Sequence, residues 1–302
     1  MRRSIFLVVS SSLLLSACAT ATINPPVPDA ARTSISSTEV VVPIRQSEIY
    51  VYVPPSTANA GGQGGLLGAL LVAAINAGVD SVRTQNAEKA VKPLRDALVD
   101  YKFDSALQDD IRNDLAKLPW LHVSNVRVVK EVTDATLDSA LEHSKADAVL
   151  FTKADYQLSN DADVLTITLT ASLFGNTDAL NALRTKKTGS GGASTALANA
   201  LYYNTFTFVA KPPGATSDRD NNIAIWGSQN GAAMRADLTL AMGKLSSMLA
   251  ADLQTNAGDR AAGTASTLSG IPVQVVSTDG DGETVRLKGG NLEFAEKSMV
   301  AP

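Results

Sequence analysis

Apolar and polar positions change period several times along this chain, and each change marks an element. Glu48 to Val53 (Glu-Ile-Tyr-Val-Tyr-Val) alternates and is stopped by Pro54-Pro55, predicting a first strand. From Val79 to Tyr101 the period lengthens: Val82, Ala87, Ala90, Val91, Leu94, Leu98 and Tyr101 share one helical face, with Pro93 as a kink or a new start. A second helix follows from Phe103, with Asp104 as its candidate cap, Leu107, Ile111, Leu115 and Leu118 on one stripe, and Pro119 as its stop. Leu121 to Val132 reads as a strand, and a short helix follows with Leu137, Ala140 and Leu141 inward. Ala146 to about Leu158 is a long strand, Asn160-Asp161 a turn, and Val164 to Phe174 alternates aliphatic residues with Thr or Ser. Leu201 to Val209 alternates again, Met234 to Leu253 repeats Leu and Met at three and four, and Val273–Val276 with Thr284–Leu287 predicts a terminal hairpin about Asp279-Gly280-Asp281-Gly282.

Strand, helices, strand, helix, three strands, helix and hairpin describe an α+β sandwich, a small mixed sheet covered by helices on at least one face. Residues 47–256 form its main domain. A linker and C-terminal hairpin occupy 257–302. The Gly, Ser and Ala of 175–199 predict a mobile insertion, and the prolines and Ser/Thr run of 18–46 predict an extended tether.

The first residues have a different logic. Arg2 and Arg3 precede an apolar run from Ile5 to Leu15, and Ser16 and Ala17 then lead to Cys18, which is the pattern of a secretory signal. The run is too short for a spanning helix, which needs roughly 20 apolar residues. Leu15-Ser16-Ala17-Cys18 resembles the lipobox of bacterial lipoproteins. The resemblance implies removal of residues 1–17, acylation of Cys18 and attachment to a membrane. Cys18 is the only cysteine of the 302 residues, and lipidation would consume a thiol that an oxidising compartment otherwise leaves exposed to side reactions. In such lipoproteins an aspartate just after the cysteine marks inner-membrane retention. Ala19 and Thr20 stand there instead, so the expected place is the periplasmic face of the outer membrane.

Composition narrows the partners. A formal net charge of −4, with 26 basic and 30 acidic residues, argues against nucleic acid. Aromatics at 5% are too sparse for a broad stacking surface for sugars or bases. Gly61-Gly62-Gln63-Gly64-Gly65 opens an apolar stretch to Gly78, but it lacks the Gly-Lys-Ser/Thr of a phosphate loop and misses dinucleotide spacing. Gly61/Gly65 and Gly64/Gly68 instead have the small-x-x-x-small spacing that lets helices approach closely. A Gly/Ala-rich helix over 61–78 would pack on the domain, lie on the membrane, or pair with a protein partner or a second copy.

No cofactor or metal site is legible. Only His122 and His143 are present, both read as structural. Gly227-Ser228-Gln229-Asn230-Gly231 lacks the spacing of a nucleophile elbow. Asp109/Asp110 and Asp218/Asp220 read as solvated carboxylates, and Asp279, Asp281 and Glu283 as turn residues.

From Leu115 to Phe174, with the helix of Met234 to Leu253, the pattern resembles the periplasmic lipoprotein group built on a domain like the amino-terminal domain of TolB, also seen in the curli-export lipoproteins. The resemblance rests on Trp120-Leu121-His122-Val123, the Leu137 to Leu141 helix and Ala146-Asp147-Ala148-Val149-Leu150. It implies a binding or assembly component and carries over no functional residue. The expectation is thus a lipid-anchored, non-enzymatic binding protein, with a ligand carrier or hydrolase using an unrecognised cleft as the alternative.

Overall fold

The computed structural model describes residues 24, 26–44, 46, 48–53, 81–130, 134–184, 200–256, 259, 263–268 and 271–296. Cys18, the Gly/Ala stretch 61–78, Pro54-Pro55 and most of the 175–199 insertion lie outside them.

Among these residues ten strands make one mixed sheet, and six helices pack on it. The strands are β1 (Thr38–Pro43), β2 (Tyr50–Val51), β3 (Val123–Val129), β4 (Ala148–Leu158), β5 (Leu165–Gly175), β6 (Tyr202–Ala210), β7 (Thr264–Leu268), β8 (Ile271–Thr278), β9 (Gly282–Arg286) and β10 (Leu292–Glu296). Their order is β3-β1-β4-β5-β6-β10-β9-β8-β7, with β2 pairing the end of β4. The helices are α1 (Asp29–Ser34), α2 (Ser81–Ala97), α3 (Phe103–Leu115), α4 (Asp134–His143), α5 (Asp178–Ala182) and α6 (Arg219–Gln254).

Alternation decides which face each residue serves. Leu165, Ile167, Leu169, Ala171 and Leu173 of β5 are fully buried on one face, and the threonines between them point to the other. A one-residue slip against β4, paired from Ala148↔Gly175 to Leu158↔Leu165, would exchange the two sets. The main core lies on the aliphatic face under α2, α3 and α6. The smaller core, Val41, Ala140, Val149, Phe151 and Phe174, lies on the opposite face with α4. β1 pairs in parallel with both β3 and β4, and parallel neighbours need crossovers, so helices occupy both faces at this side of the sheet.

Several expectations are corrected here. The tether over 18–46 does not extend through residues 29–43. Ala31 and Ile35 join the core, and Val40, Val41 and Val42 form the strand between β3 and β4. Three consecutive valines bury on both faces, a pattern that fits a central strand and lacks the alternation of a half-exposed one. Residues 176–184 of the expected mobile insertion are ordered: Thr177 Oγ1 accepts from Leu180 N and caps α5, whose Leu180 is buried. The C-terminal segment is more than a linker and hairpin, because β10 pairs in parallel with β6 and joins the β7–β9 meander to the main sheet. Hence the sheet is larger than expected. Asp104 lies within the first turn of α3, and Lys102 holds the cap position. His122, expected in a strand, has φ of 46° and turns the chain from a 3₁₀ helix (Pro119–Leu121) into β3.

α6 is two helices joined by a break. Ser228 is extended, and Gln229, Asn230 and Gly231 are all left-handed (φ 50°, 58° and 72°). Only Gly231 adopts that conformation without steric cost. Arg235, just after the break, ties it to the end of α2: it donates to Asn230 O at 3.0 Å, to Ala97 O at 2.5 Å and to the Asp100 carboxylate.

Candidate functional site

Strands β4, β6, β8 and β10 begin at one end of the sheet, and β5, β7 and β9 finish there, as does α6. Asn24 lies at this end. Asn24 is the first described residue, and its side chain is 1% exposed. Its Nδ2 donates to Asn204 Oδ1 at 3.0 Å and to Asn291 Oδ1 at 2.8 Å. Asn204 Nδ2 in turn donates to Asp252 Oδ2 at 2.8 Å and to Gly290 O at 3.3 Å. The same carboxylate oxygen accepts Tyr202 Oη at 2.8 Å, and Arg286 Nη1 lies 3.4 Å from Oδ1. Asn24, β6, α6, β9 and the 287–290 turn are thus tied into one buried polar knot.

Its members come from separated elements, each for a local reason. Tyr202 and Asn204 share a face of β6 by the period of two, and Asp252 lies one helical turn beyond Leu249 on the buried side of α6. Gly290 has φ of +91°, with Asn24 Cβ 3.5 Å from where its own Cβ would stand. Burying a carboxylate is costly unless its oxygens have hydrogen-bonding partners. Two neutral donors and a guanidinium meet that requirement here. The knot is a clamp that holds Asn24 against β6 and the turn before β10.

Beside the knot, α1 closes the C-terminus of α6. Arg32 donates to Leu253 O at 3.0 Å, to Thr255 O at 2.9 Å and to Asn256 Oδ1 at 2.7 Å. A cation over the last carbonyls of a helix opposes the partial negative charge there.

At the other end of the sheet a cleft of about 270 Å³ opens between β2, α2 and α3, lined by Glu48, Arg95, Tyr101, Phe103, Tyr156 and Leu238 among others. Arg95 bridges Glu48 at 3.2 Å and Glu88 at 2.6 Å and donates to Ile49 O at 2.7 Å. The Tyr156 ring packs on Phe103 at 4.4 Å, and burial, then the nearby Asp104 and Glu48 charges, pushes its hydroxyl well above the ordinary tyrosine range. Burial likewise raises Tyr101, whose hydroxyl lies 3.0 Å from Thr239 Oγ1. The phenols stay protonated and serve as neutral hydrogen-bonding groups beside a charged wall.

The residues singled out in the sequence are scattered. Cys18, Gly61, Gly64, Gly65 and Gly68 lie outside the described residues. His143 Nδ1 lies 2.8 Å from Ser139 O at the end of α4. Asp109 pairs with Arg112 at 2.7 Å, and burial, reinforced by Asp114 and Asp109, raises the Asp110 carboxyl. Asp218 caps α6 by accepting from Asp220 N and Asn221 N. Ser228 sits in the α6 break and donates to Ile225 O at 2.8 Å. Asp279 and Asp281 both bridge Lys244, at 2.6 and 3.0 Å, fastening the β8–β9 turn to α6. Among the described residues no three His, Cys, Asp or Glu side chains are grouped to hold a metal, and no helix is long and apolar enough to cross a membrane.

The knot has little trace in the local sequence pattern. One signal was available: Asp252 interrupts the apolar stripe of Leu245, Leu249 and Leu253, and a carboxylate flanking such a stripe requires partners. Asn204 in a strand of aromatic and threonine residues is the second.

The chain matches no described protein family, and it matches no curated protein. Among solved structures it is similar to the PelC dodecamer from Paraburkholderia phytofirmans, at 14% identity over 77% of this chain and 96% of that one, with a TM-score of 0.26. A point variant of that dodecamer is similar at 13% identity over 77% and 95%, with a TM-score of 0.25. The architecture described above therefore rests on this chain's own geometry.

Proposed function

We propose that this protein is a lipid-anchored component of the bacterial cell envelope, held through Cys18 to the periplasmic face of the outer membrane, and that it acts there by binding or assembly without catalysing a reaction. The observation that supports the reading is the position of Asn24. The sole cysteine, which ends the Leu15-Ser16-Ala17-Cys18 run, lies six residues before a side chain locked into the buried knot. An acylated Cys18 would hold the whole domain at the membrane on a short leash. Three acyl chains make such an anchor stable, where one gives only marginal binding.

Binding would be to a protein partner or a second copy, with Gly61, Gly64, Gly65 and Gly68 as the candidate contact because their spacing admits close helix approach.

The test is native mass spectrometry of the full-length protein expressed in a two-membraned bacterium, beside a Cys18→Ser variant, with density fractionation of the membranes. The expected result is a mass carrying diacylglycerol and an amide-linked chain, outer-membrane density, and loss of both in Cys18→Ser. A mass difference no larger than the sulfur-for-oxygen exchange, with the same membrane fraction, would overturn the anchor. The same spectra count subunits, and a complex dispersed by Gly64→Ile with Gly68→Ile would place the contact in that stretch.

A further inference from the structure

The leash is shorter than the domain. Six residues from Cys18 to Asn24 reach at most about 22 Å, whatever path they take. The eleven-residue strands β4 and β5 run about 37 Å from one end of the sheet to the other at ~3.4 Å per residue. Asn24 is fixed at the end where β8 and β10 begin, so a membrane holding Cys18 lies by that end.

A patch at that end joins exposed apolar residues to a lysine. Ile271, at the start of β8, is 52% exposed, second only to Val99 among the large hydrophobic residues described. Pro272 beside it is exposed too. Across a shallow concavity of about 450 Å³ stand Leu287 and the exposed Lys288, in the turn whose Gly290 and Asn291 contact Asn24. Apolar side chains that enter the headgroup boundary, with a lysine reaching the phosphates, are how folded domains rest on a bilayer. The most exposed large hydrophobic residue among those described, Val99, stands at the opposite end of the sheet, beyond the reach of the leash.

We infer that the end of the sheet bearing Ile271, Pro272, Leu287 and Lys288 lies against the phospholipid surface, with the far end and its aromatic cleft turned into the periplasm. This orientation rests on the anchor proposed above. It limits Asn24 to a support: the knot sets which end of the domain the lipid holds down.

The experiment uses Gly289 and Gly280, since a Cβ at either would meet open space. They lie in the turns after β9 and before it, at opposite ends of that strand. Acylated Cys18 leaves no competing thiol, so Gly289→Cys and Gly280→Cys in the full-length lipoprotein each take one environment-sensitive fluorophore. The labelled proteins are reconstituted into phosphatidylethanolamine–phosphatidylglycerol vesicles with and without nitroxide-bearing lipid. The expected result is several-fold stronger nitroxide quenching at 289 than at 280, reduced when Ile271→Ser and Lys288→Glu are combined in a protein that keeps its lipid mass. Equal quenching at both positions, or stronger quenching at 280, would overturn the orientation while leaving the anchor intact. A blue shift at 289 without nitroxide quenching would assign the surface to a second copy and overturn it as well. A protein lacking lipid mass would fail the anchor itself, and the orientation with it.

Discussion

Asn24 donates to Asn204 at 3.0 Å across 180 residues of chain, and Asn24 also holds Asn291, so one amide joins two separate parts of the sheet. Asn24→Ala removes both bonds and leaves buried acceptors behind. The expected loss is about 1–3 kcal/mol of stability, read as a lower urea midpoint. Limited proteolysis should then cut before β1 more readily than in the parent.

Asp252 is the centre of the same knot and the larger liability. Asp252→Asn keeps the shape but leaves the Arg286 guanidinium, 10% exposed, without its anionic partner. An uncompensated buried charge costs about 3–5 kcal/mol, whereas Tyr202→Phe, which deletes one donor, should cost about 1–2 kcal/mol. Denaturant titration of the two single variants and the double variant measures the coupling. Strictly additive losses would contradict a shared network.

A pH dependence follows from Asp237 of α6. Burial pushes its carboxyl up to about 6, against a partial lowering by its hydrogen bond with Glu296 of β10. The folded state therefore holds the proton more tightly than the unfolded chain. This contribution is fully present below about pH 4 and is lost as pH rises through about 6. Thermal melts of Asp237→Asn should lack that component, so the gap between variant and parent should move in the variant's favour between pH 4 and 7.

Gly282 tests the junction of the C-terminal strands. A Cβ there would stand 2.1 Å from Ala295 O and 2.9 Å from Glu296 Cα, both backbone atoms of the paired strand. Gly282→Ala must separate β9 from β10, with an expected cost of about 1–3 kcal/mol or more. Hydrogen exchange should show the loss first at the amides of β9 and β10. Gly280→Ala, where the Cβ meets open space, is the matched control and should change little.

Elements with one clean period were legible in the sequence. The alternation of Val164–Phe174 and the three-and-four spacing of Met234–Leu253 gave β5 and the long part of α6, since burial on one face imposes those periods. The α+β class followed from their order. β1 was misread because a strand buried on both faces has no alternation, and Pro and Ser on either side of Val40–Val42 have the composition of a linker. The Gln229–Gly231 break was hidden for a different reason: Asn230 O accepts from Arg235, whose guanidinium is itself fixed by Ala97 O of α2, a contact local sequence does not contain.

The chain alone determined that Cys18 is the single thiol, that it follows an apolar run headed by Arg2 and Arg3, and that strands and helices alternate in an α+β order, because these are properties of local composition and period. Only the tertiary structure decided that residues 38–43 sit inside the sheet, that β10 joins β6, and that Asn24, Asn204, Asp252 and Arg286 share one buried site. Those facts depend on pairing between residues tens to hundreds of positions apart, where burial and hydrogen-bond satisfaction over the whole fold choose the partners.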